Sequence, residues 1–335
     1  MEKTLIKCNH KHESGLDEVV YQNYMEREAN PIPEHVGPIV KGIDVGVIRY
    51  PDTHFTYPLI DLAKDIQETD YQMGDFFFRH YVPKGMSKEG PCIVYIHGGG
   101  FTCGTVKGMN NVCRRLSELL DSVVIYVSYS LSPEVAYPTA VNQCYEVVKE
   151  LVSNHEKYLV NPNQIVTMGD SAGGNLCLSI AQMDKENKYI KEQVLFYPAV
   201  DVSEYSRKKF NLEAYGNPTD KLILKKLLTM KDSVGNIETT YLQGNISSAD
   251  PMVSPLLSSD FSIFPKTLMI TAEYDYLRLQ CEEFVEKLLS AGVDCEYVCY
   301  EGTLHGFLDR LGFYDSSDHC LHLVAYNVRD YFKSK

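Results

Sequence analysis

Gly169-Asp170-Ser171-Ala172-Gly173 follows the apolar run Gln164 to Met168 and precedes a helical stretch. Between a strand and a helix, the G-x-S-x-G spacing has a mechanical reason. The turn is too cramped for side chains on either flank, so glycines stand there and the serine hydroxyl projects clear of the sheet. The helix N-terminus behind it favours negative charge, as an oxyanion forming at the serine would require. Five residues can match by chance, and a glycine-rich turn need not bind anything. Ser171 therefore needs partners before it can be read as a nucleophile.

His97-Gly98-Gly99-Gly100 closes the run Cys92 to Ile96. Consecutive glycines let several backbone N–H groups point at one spot, and acyl transfer needs two or three such donors around the oxygen of its tetrahedral intermediate. The expected donors are drawn from Gly98, Gly99 and Gly100, joined by the N–H of Ala172, with His97, Gly169, Asp170 and Gly173 supporting the two turns. A flexible glycine turn is the plainer reading of three glycines. Their place at a strand end upstream of the serine turn favours the chemical one.

A base and an acid are then sought downstream of Ser171, in the order serine, acid, histidine. Asp275 lies just past the apolar run Thr267 to Thr271, at the kind of strand C-terminus where catalytic loops of α/β sheets gather. His305 follows Cys295 to Tyr300 in the same way, between Gly302 and Gly306. Glu273 is the alternative acid, and Asp294 and Asp309 are less well placed. Among the other histidines, His35, His54 and His80 precede the serine in a cap or edge strand, His155 sits on a helix, and His319 and His322 fall in the last helix.

These residues need a scaffold. From about residue 75, short apolar runs alternate with helical stripes, the pattern of a mostly parallel sheet covered on both faces. The spacing predicts strands over 75–81, 92–96, 122–128, 165–168, 193–197, 267–271 and 295–300. Val141, Cys144, Tyr145, Val148, Leu151 and Val152 predict one helix face, and Leu277, Cys281, Phe284, Val285, Leu288 and Leu289 another. Residues 1–70 lack strong β-runs, include a possible helix over 16–28, and are read as a cap segment. Residues 71–335 are read as the catalytic domain, with a cap insertion at about 203–250, since long insertions in compact α/β domains are commonly functional.

The 335 residues carry a formal net charge of −13, which argues against nucleic acid and anionic membrane surfaces as partners. No stretch approaches the roughly 18 uninterrupted apolar residues of a membrane span, and the N-terminus lacks a signal-type core, so a cytoplasmic location is expected. The ten cysteines are scattered through apolar segments and read as reduced thiols. Cys8-Asn9-His10-Lys11-His12 and His319-Cys320-Leu321-His322 contain metal-ligand types, but neither has a second cluster at zinc-site spacing. No phosphate-binding glycine loop follows a strand. No metal and no cofactor are expected. The GDSGG of trypsin-like proteases is excluded by residue order, because there the serine comes last.

The set HGGGF (97–101), GDSAGGN (169–175), DPMVSP (250–255), AEYDYLR (272–278) and LHGF (304–307) resembles the hormone-sensitive-lipase family of α/β-hydrolases. The resemblance implies an α/β-hydrolase fold, with a central, mostly parallel sheet, helices on both faces and a helical cap. It also implies a triad of Ser171, Asp275 and His305, an oxyanion hole at the HGGG turn and Ala172, and hydrolysis of short-chain acyl esters, acetyl to about hexanoyl. The expected partner is a small-molecule ester, and a homodimer is left open. An amidase or peptidase with the same triad is the nearer alternative, and a non-catalytic ligand-binding relative the more distant one. Departures from the family pattern are YSLSPE (129–134), where Ser130 replaces the usual arginine, Tyr276 in place of a common proline, and Leu279 in place of an acid.

Overall fold

The computed structural model describes residues 1–32, 34, 38–54, 59–216 and 218–333. Its strands are β1 (Thr4–Ile6), β2 (Ile39–Val40), β3 (Ile43–Asp44), β4 (Ile66–Met73), β5 (Phe76–Pro83), β6 (Gly90–Ile96), β7 (Val123–Ser128), β8 (Val160–Asp170), β9 (Ile190–Phe196), β10 (Lys266–Tyr274) and β11 (Cys295–Leu304). Its helices are α1 (Glu18–Ala29), α2 (Val45–His54), α3 (Val106–Leu120), α4 (Thr139–Ser153), α5 (His155–Tyr158), α6 (Ala172–Met183), α7 (Glu204–Lys209), α8 (Lys221–Gly235), α9 (Arg278–Ser290) and α10 (Asp315–Lys333).

Among the described residues, nine strands form one sheet in the order β1-β11-β10-β9-β8-β6-β7-β5-β4. All neighbours run parallel except β5, which is antiparallel to both β4 and β7. The central strands read as unbroken apolar runs because both faces are covered. Along β6, Cys92, Val94 and Ile96 join a core with Val148 of α4, Leu176 of α6 and Phe284 of α9. Ile93 and Tyr95, pointing the other way, join Leu116 of α3 and Leu321 of α10. The period-two alternation of side chains thus feeds both layers from one strand. Each leucine or isoleucine fully removed from water contributes about 1.5–3 kcal/mol.

Several boundaries differ from expectation. β8 starts at Val160, before the apolar run begins, and β11 continues past Tyr300 to Leu304. Polar residues such as Asn161, Asn163 and Glu301 occupy those extensions and hide them from hydrophobic patterning. Residues 1–70 are not all cap. Thr4, Leu5 and Ile6 pair in parallel with Val298, Cys299 and Tyr300 and extend the sheet by one edge strand. β4 supplies the opposite edge; its sequence IQETDYQM looks unlike a strand because much of it faces water, and Arg79 of β5 pairs across it with Asp70 and Glu68.

The remainder of the N-terminal segment meets the insertion. Helix α1 starts at Asp17, whose carboxylate accepts the N–H groups of Val19 and Val20. Its buried residues Val20 and Tyr24, with Leu16, pack against Ile223 and Leu227 of α8. Lys225 of α8 pairs with Glu28 of α1 at 2.5 Å. No described helix is long and apolar enough to cross a membrane. Leu176→Ala should cost roughly 2–5 kcal/mol of stability through the cavity it leaves, read as a lower urea midpoint with an unchanged m-value.

Candidate active site

Ser171 sits between the end of β8 and the start of α6 with φ 53° and ψ −117°, a left-handed conformation that is rare for a residue with a side chain. Its N–H donates to Phe196 O at 2.9 Å, and its own carbonyl accepts from Asn175 and Ala199, both at 3.1 Å. The flanking glycines are a steric necessity. A Cβ on Gly169 would lie 2.6 Å from the Gly173 carbonyl carbon, and one on Gly173 would strike the carbonyl oxygen of Ile96. The second contact shows how tightly α6 is drawn against the end of β6.

β6 and β8 are parallel neighbours with Ile96 opposite Gly169, so the HGGG turn begins beside the serine turn. The turn is anchored from several sides. His97 is buried, stacks on Tyr129 with ring centroids 4.2 Å apart, and donates from Nδ1 to Gly98 O at 2.8 Å; burial holds its pKa down at about 4. Gly98 differs from expectation. Its N–H donates to Asp170 Oδ1 at 3.0 Å, the same oxygen that accepts the Tyr95 hydroxyl at 2.9 Å. That commitment removes Gly98 from the set of oxyanion donors. Gly99, Gly100 and Ala172 line the cavity over Ser171. Burial raises the pKa of Asp170, while the bonds from Tyr95 and Gly98 oppose the rise.

On the other side, His305 Nε2 lies 2.9 Å from Ser171 Oγ, and its Nδ1 lies 2.6 Å from Asp275 Oδ2. Asp275 is buried, and its second oxygen accepts the N–H of Leu277 at 2.9 Å. Glu273, the alternative acid, is turned away and accepts Gly302 N–H at 2.7 Å. Burial acts to lower the pKa of His305, but the Asp275 carboxylate outweighs it by charge and hydrogen bond, with Asp309 and Asp170 adding, and the net shift is upward. Tyr197 lies edge-on to the imidazole at 4.8 Å.

The other histidines have different surroundings. His80 lies in β5 against Tyr158 O, His155 pairs with Glu89, His319 meets the Tyr300 hydroxyl and His322 meets Arg115. His35 lies outside the described residues. Of the metal-type residues near the N-terminus, Cys8 donates to Asp17 and His12 stacks on Tyr21.

A cavity of about 580 Å³ opens over Ser171. Met230, Val234 and Ile237 of the insertion, with Leu277 and with Ile43 and Ile48 of the N-terminal segment, give it an apolar wall. Arg49 of α2 fastens this wall to the catalytic sheet. It forms a two-pronged pair with Glu134, at 2.8 and 2.7 Å, and donates to the carbonyls of Thr102 and Ser132. At Ser130, Gln143 donates to the hydroxyl at 2.9 Å and accepts the N–H at 2.7 Å. Sequence reasoning missed Arg49, Tyr95 and Tyr197; no local motif marks them.

Residues 93–309 match the family described as alpha/beta hydrolase fold. The arylacetamide deacetylase of Oryctolagus cuniculus is 30% identical over 75% of this chain and 77% of its own length. The chain belongs to the hormone-sensitive-lipase/carboxylesterase family of α/β-hydrolases. The carboxylic ester hydrolase LipN of Mycobacterium tuberculosis is 32% identical over 70% of this chain, and the match spans 62% of LipN. An esterase of Pyrobaculum calidifontis superposes with a TM-score of 0.76 at 28% identity, covering 94% of this chain and 99% of that one. The carboxylesterase EstE1, cloned from a metagenomic library, gives 0.70 at 31%, covering 84% and 93%. This hydrolase is of the esterase type and is a carboxylic ester hydrolase.

The role of Asp170 in holding the HGGG turn is open to direct test. Asp170→Ala should speed amide hydrogen exchange at Gly98 by about tenfold or more, the loss expected for one charge-assisted hydrogen bond. Unchanged exchange would mean the turn is held by other contacts.

Proposed function

We propose that this hydrolase is a serine carboxylesterase acting on short-chain acyl esters, acetyl to about hexanoyl, through an acyl-enzyme. The observation that carries the reading is the unbroken hydrogen-bonded line from Asp275 through His305 to Ser171 Oγ. His305 takes the serine proton as Oγ attacks the ester carbonyl, then gives it to the departing alcohol oxygen. Water repeats the sequence and releases the acid. Asp275 keeps Nδ1 protonated, so that Nε2 is free to accept, and stabilises the imidazolium. The N–H groups of Gly99, Gly100 and Ala172 receive the oxyanion. Gly98 acts indirectly, by fixing the turn to Asp170. The acyl chain lies along the apolar wall of Met230, Val234, Ile237 and Leu277.

A second reading is favoured by one relative's name. Arylacetamide deacetylase denotes release of an acetyl group from an amide, and the same relay serves amides when the leaving nitrogen is protonated well enough. Parallel assays of p-nitrophenyl acetate and p-nitroacetanilide separate the two, with faster turnover of the ester supporting the esterase.

Ser171→Ala should lower kcat by at least roughly 10³-fold on p-nitrophenyl butyrate, and full retention would end the proposal. Across a p-nitrophenyl series from acetate to dodecanoate, kcat/KM should peak at or below hexanoate. The pH profile follows from His305. The neutral imidazole is the working base, so kcat/KM falls as pH drops through its pKa in the free enzyme. That pKa is raised above the ordinary 6.5, which puts the midpoint of the acid limb above pH 6.5. A midpoint below 6.5 would contradict the raised value.

A further inference from the structure

A second cavity, of about 560 Å³, lies against the first. Gly99, Asp170, His305, Gly306 and Asp309 line both, whereas Ser171 lines only the first. On the reading of Ser171 and His305 as the catalytic pair, His305 delivers its proton to the leaving alcohol. The cavity reached by His305 but not by Ser171 is therefore on the alcohol side of the scissile bond.

The two cavities differ in charge: uncharged Thr102, Ser233, Asn236, Thr239 and Thr240 stand beside the apolar wall of the first, and among the described residues Lys or Arg side chains line only the second. Tyr24, Asn30, Asp52, Thr105, Lys226 and Arg310 bring hydrogen-bonding groups to the second one. Its ionisable lining among the described residues is mixed, four Lys or Arg side chains beside four Asp or Glu side chains. A plain alkyl alcohol would cover these polar groups without bonding them, at a desolvation cost of about 1–3 kcal/mol for each one stranded. A neutral group rich in hydroxyls fits the same lining without that loss.

Asp309 stands where the two cavities meet, four residues after His305, in the short turn Phe307–Arg310. Its Oδ1 is buried and has no hydrogen-bond partner among the described residues. Rotation about χ2 exchanges the two oxygens, so the carboxyl can turn its unbonded oxygen to a ligand. Burial and the neighbouring Asp170 push its pKa up to about 8. A hydroxyl suits the group in either state, because it can donate to a carboxylate oxygen or accept from the protonated acid.

We propose that Asp309 hydrogen-bonds a hydroxyl on the alcohol portion of the ester, which makes esters of polyhydroxylated alcohols, glycerol-like or sugar-like, the preferred substrates of this hydrolase. Asp309 is thus a specificity-determining residue at the junction between the acyl cavity and a more highly charged alcohol cavity.

The test compares kcat/KM for propyl butyrate, glyceryl monobutyrate and 6-O-butyrylglucose in the native protein, Asp309→Asn and Asp309→Leu. The readout is the ratio of each polyol ester to the propyl ester, whatever happens to the overall rate. In the native protein at least one ratio should exceed about ten, and the larger of the two identifies the alcohol as glycerol-like or sugar-like. Asp309→Asn, which can still donate and accept, should keep most of that preference, and Asp309→Leu should bring it close to one. Native ratios of one or less, or a preference undiminished in Asp309→Leu, would overturn the proposal while leaving the esterase reading standing. Failure to cleave any of the three esters would defeat that reading and this proposal with it.

Discussion

Ser171 is held at φ 53° and ψ −117°, and the rest of the site depends on that one backbone conformation. A side-chain-bearing residue in such a region costs of order 1–3 kcal/mol, and it persists only where surroundings over-determine it. Here they do so by hydrogen bonding and by exclusion. The Ser171 N–H is tied to Phe196 and its carbonyl to Asn175 and Ala199, so β9 and the loop after it grip the turn from one side. Gly169 and Gly173 leave space for α6 to close against β6 from the other. Because β6 ends beside the same turn, the constraint that exposes the hydroxyl also sets the HGGG segment next to it.

Asp170 couples these two turns. It belongs to the serine turn, yet its side chain holds Gly98 of the HGGG turn and the hydroxyl of Tyr95 on the neighbouring strand β6. Both donors meet the same oxygen, Oδ1, so a single carboxylate oxygen ties the two segments together. Around the imidazole, Asp275, Asp309 and Asp170 together favour the protonated state that forms as serine attacks. Of these three carboxyls, Asp275 is the one hydrogen-bonded to the ring. Asp275 thus both orients the imidazole and supplies the largest of the carboxyl contributions that favour its protonated state.

Much of the scaffold was legible because parallel strands buried on both faces leave unbroken apolar runs, as in CIVYI and VVIYV. The positions of Ser171, Asp275 and His305 at strand ends could be read from the same runs, and the three side chains lie within hydrogen-bonding reach. What patterning missed shares one physical cause. β1 is three residues long and β4 is largely polar, so neither has a periodic signal, and both exist because a neighbouring strand offers an edge. Gly98 reads like Gly99 and Gly100 in sequence, and only the proximity of Asp170 sets it apart. Arg49 comes from a segment without motif character and acquires its role by reaching Glu134 and Thr102 across the fold. Contacts between distant parts of the chain leave no mark in local composition.

The nucleophilic role of Ser171 is the central claim, and covalent trapping tests it most directly. The native protein and its His305→Ala variant would be treated with a fluorophosphonate and analysed by intact-mass and peptide mass spectrometry. One adduct per chain is expected, located on Ser171 in the native protein and formed at least about a hundred times more slowly in the variant. An adduct on another residue, or equal labelling rates in the two proteins, would contradict the account.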